Sequence, residues 1–133
     1  MANYHLRAQD IMNIDVATIL DDATVMEAAH LMRLEGVRSL VIEPHDGDDP
    51  YGIVTYSDIV KRVLSVEKDP GTVRVHEIMT KPAIVVPPSM QVKYIARLFQ
   101  QTGIGHVPVI DCGTLLGVVS MTDLITEVIT EPA

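Results

Sequence analysis

Tryptophan is absent from this 133-residue chain, and phenylalanine and cysteine occur once each. A core must therefore be built from Val, Ile, Leu, Met and Ala. The lone Cys112 excludes an intrachain disulfide and any multi-cysteine metal site, and it fits a reducing compartment. Positive charge is also scarce. Ten Lys and Arg face 18 Asp and Glu, a formal charge of −8. That balance argues against DNA, RNA or an anionic membrane surface as partner, while leaving room for a local basic pocket. No apolar run approaches the ~18 residues that span a bilayer, and Met1–Asp10 lacks the apolar centre of a signal peptide. Apolar residues nevertheless make up 47% of the chain and charged residues 21%, a composition that folds. A small, acidic, cytoplasmic protein is expected.

The most informative feature is an internal repeat, which changes how every later signal is read. An offset of 67 residues places Ile11-Met12 on Ile78-Met79, Val25 on Val92, Ala29 on Ala96, Leu31 on Leu98 and Gly36 on Gly103. Past residue 50 the offset becomes 65, so the first copy carries two extra loop residues. There Gly52 meets Gly117, Val54 meets Val119, Asp58 meets Asp123 and Val63 meets Val128, with Thr55 on Ser120 and Ser57 on Thr122.

Each copy reads as strand, helix, strand, strand, helix. The opening runs Val16–Ile19 and Ile84–Val86 suit short buried strands. A helix follows whose apolar stripe is Val25, Ala28, Ala29 and Met32, repeated as Val92, Ile95, Ala96 and Phe99. Gly36 and Gly103 stand where helices end. Strands are expected at Ser39–Ile42 and Ile53–Thr55, then at Val107–Ile110 and Leu115–Ser120. A last short helix begins near Asp58 or Asp123. Its apolar residues are Ile59, Val60, Val63 and Leu64, matched by Leu124, Ile125, Val128 and Ile129. Ser65–Val75, with its Pro70-Gly71, reads as a polar connection between copies. Units of roughly 60 residues bury little surface alone, so the two are expected to share one core.

The strings Gly52-Ile-Val-Thr-Tyr-Ser-Asp58 and Gly117-Val-Val-Ser-Met-Thr-Asp123 carry a resemblance, together with Ile11-Met12, Ile78-Met79-Thr80 and Val107-Pro108-Val109-Ile110-Asp111. In tandem they resemble a pair of CBS motifs, the stand-alone Bateman module. The first copy departs in having Leu40-Val41 where the second has Val107-Pro108, and valine fits a strand equally well. The resemblance implies an α/β (α+β) fold of two β-α-β-β-α motifs packed about a pseudo-two-fold axis. Motif 1 would span 8–66, the linker 67–75 and motif 2 76–131. It also implies a regulatory, energy-sensing role without catalysis. AMP, ADP or ATP would bind in clefts between the motifs, with S-adenosylmethionine and NAD(H) as further candidates and Mg²⁺ accompanying a polyphosphate. The module would need no resident cofactor and would form at least a homodimer acting on a protein partner.

The residues support this chemistry in their own right. A strand ending at Thr55 and a helix beginning near Ser57-Asp58 place backbone N–H groups and hydroxyls together, an arrangement that suits a phosphate. A carboxylate one residue on can accept from a ribose diol. Asp58 and Asp123 are thus candidates for ribose hydroxyls, and Thr55, Ser57, Ser120 and Thr122 for ribose or phosphate oxygens. The competing explanation is helix capping, which uses the same residue types. Arg38, at a position that often holds a basic residue in the family, is the candidate phosphate cation. His106 is its counterpart and would contribute most when protonated. The competing explanations are a surface arginine and a structural histidine. Gly105 stands where the first copy has Arg38, so the site headed by Asp58 is expected to bind a phosphorylated ligand more tightly. Thr18 and Thr80 are further candidate contacts.

Catalytic signatures are missing: there is no Gly-x-Ser-x-Gly, phosphate-loop or His-Glu-x-x-His string. Histidines 5, 30, 45, 76 and 106 show no ligand spacing. His45–Pro50 lacks the spacing of a calcium loop and reads as a solvated hairpin loop. Cys112 falls in a hairpin turn with nothing nearby to activate it. The alternative to a nucleotide sensor is a structural dimerisation or docking domain whose clefts are vestigial.

Overall fold

The computed structural model describes residues 1–130, so the last residue of the expected second motif, 131, lies outside the described residues. The elements run α1 (Ala8–Ile11), β1 (Thr18–Ile19), α2 (Val25–Glu35), β2 (Ser39–Ile42), β3 (Gly52–Thr55) and α3 (Tyr56–Ile59), the last prolonged by a π-helical turn at Val60–Leu64. A 3₁₀ turn at Val75–Glu77 leads to α4 (Val92–Thr102), β4 (His106–Asp111), β5 (Thr114–Ser120) and α5 (Met121–Asp123), which again passes into a π turn at Leu124–Val128. Chain contacts divide into two units: a continuous one, Ala17–Ala83, and a split one made of Met1–Val16 and the chain from Ile84 on.

In the continuous unit β1 runs parallel to β2, which pairs antiparallel with β3 from Ser39↔Thr55 to Ile42↔Gly52. The helix α2 is capped at its start by the Thr24 hydroxyl, which accepts from the Glu27 N–H, and ends on Gly36 at φ 66°. A left-handed residue there is what glycine allows. Val25, Ala28 and Met32 pack from α2 onto Leu40, Ile42 and Val54, with Ile59 and Val63 closing one end. Val73, Val75 and Ile78 complete this core. The segment Ser65–Val75 is thus more than a polar connection, since its last residues contribute apolar side chains to the interior.

In the split unit β4 and β5 form a hairpin from His106↔Ser120 to Asp111↔Thr114, with a register shift between Val109 and Ile110. Val92, Ile95 and Phe99 of α4 pack with Val107, Val109, Val119, Val128, Val86, Ala8 and Ile11. Two expectations are corrected. Ile84–Val86 is not a strand: only Val86 is buried, and it makes an isolated parallel bridge to Val109, while Ile84 and Val85 are exposed. Pro87 and Pro88 follow at once, lack an N–H and cannot extend a ladder. Ala96 is exposed, and Leu98 packs against the core instead.

The repeat extends further back than the sequence strings showed. Arg7 and Arg74, 67 residues apart, each donate a guanidinium hydrogen bond of 3.0 Å to a backbone carbonyl, Ser89 and Asp22 respectively. Their own N–H groups donate to Asp10 and Glu77 carboxylates at 2.8 and 2.6 Å. Each arm then crosses a strand. Asn13 and Val118 exchange backbone hydrogen bonds of 2.9 and 3.0 Å, and Thr80 and Ile53 exchange two of 2.9 Å. The arm that begins copy 1 therefore packs in the unit holding the body of copy 2, and the arm of copy 2 packs with the body of copy 1.

The repeated glycines sit under these crossings. A Cβ on Gly117 would lie 2.8 Å from the Asn13 carbonyl oxygen and 2.9 Å from the Met12 side chain. One on Gly52 would meet Ile42, Thr80 and Lys81 at 3.3–3.4 Å. Gly117→Ala should therefore destabilise by about 1–3 kcal/mol, the usual range for overpacking. At Gly52 the milder contact is offset by the lower chain entropy of alanine in the unfolded state, and a nearly neutral change is expected. Urea midpoints of the two variants check this, and equal midpoints would refute the ranking.

Candidate functional site

The expected strand-to-helix sites form in both units, with the helix beginning one residue earlier than the sequence suggested, at Tyr56 and Met121. Thr55 is extended, at φ −125° and ψ 167°, so its side chain folds back over the first turn. Its Oγ1 accepts from the Asp58 N–H at 3.3 Å and donates to Asp58 Oδ2 at 3.1 Å, and its N–H donates to the same Oδ2 at 2.9 Å. Ser120 and Asp123 repeat this: Ser120 N–H and Oγ donate to Oδ2 at 2.8 and 3.0 Å, and Oγ accepts from the Asp123 N–H at 3.2 Å. These are reciprocal capping boxes.

Capping leaves part of each site open. All contacts of Asp58 and Asp123 converge on Oδ2, so Oδ1 of each half-buried carboxylate keeps its acceptor capacity. Two lone pairs on one oxygen can take two hydroxyl donors. The helix start, by contrast, offers less than the sequence suggested. Tyr56 N–H donates to the Arg38 carbonyl at 3.0 Å and Asp58 N–H to the cap, which leaves Ser57 N–H for an outside acceptor. In the split unit Met121 N–H donates to the Gly105 carbonyl, also at 3.0 Å. Ser57 and Thr122 are exposed beside these turns.

The continuous unit gathers Arg38, Thr55, Ser57, Asp58, Thr18 and Thr80; the split unit holds His106, Ser120, Thr122 and Asp123. Arg38 is exposed and joined to the turn through its carbonyl. Thr18 pairs with Val41 on β2, and its hydroxyl donates to Glu43 Oε1 at 3.3 Å. Thr80 is exposed, with its backbone engaged by Ile53. His106 is partly buried and pairs with Ser120 across the hairpin. Where Arg38 stands in one unit, the other has Gly105, and a Cβ there would meet the Met121 side chain from 3.4 Å outward. Two polar residues of these sites escaped the sequence reading. Ser39, buried opposite Thr55, is the match of His106, and Asn13 is the match of Thr80. The 67-residue offset, applied to these positions, finds both.

A second charged cluster lies at the loop between β2 and β3. His45 Nε2 and Asp21 Oδ2 are 2.9 Å apart, and Lys81 Nζ reaches Asp49 Oδ2 at 2.7 Å. The His45 N–H also donates to Asp49 Oδ2, at 2.7 Å. Hydrogen bonding to Asp21 raises the pKa of His45 above its ordinary 6.5, and the same bond lowers that of Asp21 below 3.8. Lys81, followed by the His45 N–H, lowers that of Asp49. Lys81 is thus a cation beside Gly52 that is already paired, whereas Arg38 has no carboxylate within ion-pair distance among the described residues.

These shifts set the pH dependence. The stabilisation linked to His45 is full below about 6.5, its unfolded value, and is lost as pH rises through its raised folded value. That linked to Asp21 and Asp49 is present above about 3.8 and is lost as pH falls through their lowered values. Thermal melts from pH 5 to 9 should show a decline above pH 6.5 that His45→Gln flattens. A His45→Gln profile matching the wild type across that window would overturn the assignment.

The CBS domain model matches residues 8–65 and 75–130, and the chain belongs to the CBS-domain family. It is 36% identical over 117 residues to the uncharacterized protein MK0525 of Methanopyrus kandleri, covering 87% of this chain and 59% of that protein. It therefore spans less than two thirds of that relative. Hypoxic response protein 1 of Mycobacterium tuberculosis is 29% identical over 119 residues, covering 88% of this chain and 81% of that one. A hexameric CBS-CP12 protein from bloom-forming cyanobacteria superposes with a TM-score of 0.90 at 49% identity, over 92% of this chain and 70% of that one. CBS pairs are in general regulatory, nucleotide-binding and non-catalytic modules. Among the described residues no helix is long and apolar enough to cross a membrane.

Proposed function

We propose that the chain is a regulatory module that binds an adenosine-containing ligand, with Asp58 and Asp123 receiving ribose hydroxyls and Arg38 a phosphate. The observation that carries this reading is the open Oδ1 on each capping aspartate, repeated in both units beside an exposed Ser57 or Thr122. Geometry also favours unequal sites, since only the Asp58 turn has a cation attached. AMP, ADP and ATP are the ligands this donor set suits best. S-adenosylmethionine and NAD(H) share the ribose chemistry, and Mg²⁺ would accompany a polyphosphate. No step of chemistry is required of any residue.

One observation favours the rival reading, a docking domain without ligand: the capping boxes by themselves account for Thr55, Asp58, Ser120 and Asp123. Calorimetric titration separates the two. Binding of an adenine nucleotide should weaken at least tenfold (about 1.4 kcal/mol) in Arg38→Ala and Asp58→Asn, and less in Asp123→Asn. No heat and no thermal stabilisation with any of these ligands at millimolar concentration would favour the docking domain. Equal losses in Asp58→Asn and Asp123→Asn would remove the ranking.

Self-association belongs to the same proposal. Tyr56, Val60 and Leu64 are 45–57% exposed, and their matches Met121, Ile125 and Ile129 are 50–61% exposed. Tyr56, Val60 and Leu64 follow one another along the first closing helix, and Met121 and Ile125 along the second, with Ile129 extended just beyond its end. Exposed apolar residues grouped in this way are of the kind that marks a contact surface. The hexameric relative supports assembly of this chain as well. Val60→Glu with Ile125→Glu should lower the mass seen by light scattering on a sizing column without changing the circular dichroism. A wild-type chain that elutes as a monomer would sink this part of the proposal.

A further inference from the structure

The outward face of α4 carries a basic and aromatic cluster for which the nucleotide sites have no use. Lys93 Nζ lies 5.1 Å and Arg97 Cζ 5.5 Å from the centroid of the Tyr94 ring. Tyr94 is 47% exposed, and Arg97 is exposed too. The helix Val92–Thr102 contains no Asp or Glu. Among the described residues neither cation has a carboxylate within ion-pair distance. In a chain of charge −8, a surface helix bearing two cations and no acid stands apart, and the ring takes the place an anion would fill.

The same chain presents the complementary surface. The loop between β2 and β3 holds the two residues by which copy 1 exceeds copy 2. Its acids divide by position. At the base, Asp49 is paired with Lys81, and His45 pairs with Asp21, which lies outside the loop. At the tip, Asp46 and Asp48 are exposed and have no cation among the described residues. The tip is held in shape by the Asp46 carboxylate, which accepts from the N–H groups of Asp48 and Asp49 at 2.9 and 3.1 Å. A loop fixed in this way loses little conformational freedom on docking.

We propose that the Lys93–Tyr94–Arg97 face of α4 receives the Asp46–Asp48 loop tip of a second copy. Two carboxylates meet two cations, which the Tyr94 ring holds together on this face. Each copy carries one donor loop and one acceptor face. The contact is therefore heterologous: repeated, it closes a ring or continues as a filament. It is independent of the apolar stripes and of any nucleotide.

Sedimentation velocity of the full chain at 50 and 300 mM NaCl tests this. The wild type should show a mass increment at low salt that disappears at high salt, because exposed pairs are screened. Asp46→Lys/Asp48→Lys and Lys93→Glu/Arg97→Glu should each weaken that step by about tenfold or more. The fourfold variant that exchanges the charges of both surfaces should regain it. All substituted side chains are at the surface, and thermal melts verify that each variant folds. A wild-type mass independent of salt, reversal variants that associate as the wild type does, or a fourfold variant that fails to recover would each overturn the proposal. Were the natural occupant an acidic segment of another protein, the wild type alone would show no increment, and this proposal would fall.

Discussion

Everything else in this fold depends on two backbone crossings, Asn13 with Val118 and Thr80 with Ile53. Each is a pair of reciprocal N–H to carbonyl bonds that lays an opening arm against the strand leading to a capping aspartate. At Gly117 the crossing leaves no room for a side chain, whereas at Gly52 the fit is looser. It also fixes the strand two residues before Thr55 and Ser120, so that the turn after it always starts from the same place. Arg7 and Arg74 reinforce the arms from behind, each reaching a loop carbonyl that a shorter side chain would leave to water.

Much of this was legible in the sequence, and what was not has a physical reason. Apolar spacing reported α2 and α4 because each buries one stripe, and Gly36 and Gly103 reported where they end because both take positive φ. The exchange of arms was hidden. Sequence order assigns Ile11-Met12 to the first copy, whereas packing places them with β5, and only long-range hydrogen bonds decide between the two. Ile84–Val86 misled because three apolar residues in a row satisfy the rule for a buried strand, while the two prolines behind them deny the ladder its donors. The closing helices were read correctly as apolar, but periodicity cannot tell whether Val60 and Ile125 are buried, and both are exposed.

The site shows the same limit at the level of single atoms. Ser, Thr and Asp at a helix start are what capping needs and also what a ribose and a phosphate need, so residue type does not separate the two roles. Geometry separates them by oxygen. Oδ2 of each aspartate holds the turn, and Oδ1 has no protein donor among the described residues. A carboxylate held by two hydrogen bonds on one oxygen presents its other oxygen in a fixed direction. This also explains how Thr55 and Ser120 differ without consequence: both supply one hydroxyl to the same cap.

Charge is distributed with equal economy. A formal −8 spread over the surface would discourage any anionic ligand, so the cations that are not neutralised acquire weight beyond their number. Lys81 is held by Asp49 and cannot serve the site it borders. Arg38 is tied to the turn through its backbone carbonyl, and its guanidinium has no carboxylate within ion-pair distance among the described residues. In the other copy that position is Gly105, with the Met121 thioether lying against it. One duplicated frame has thus kept its hydrogen-bonding geometry and diverged in charge.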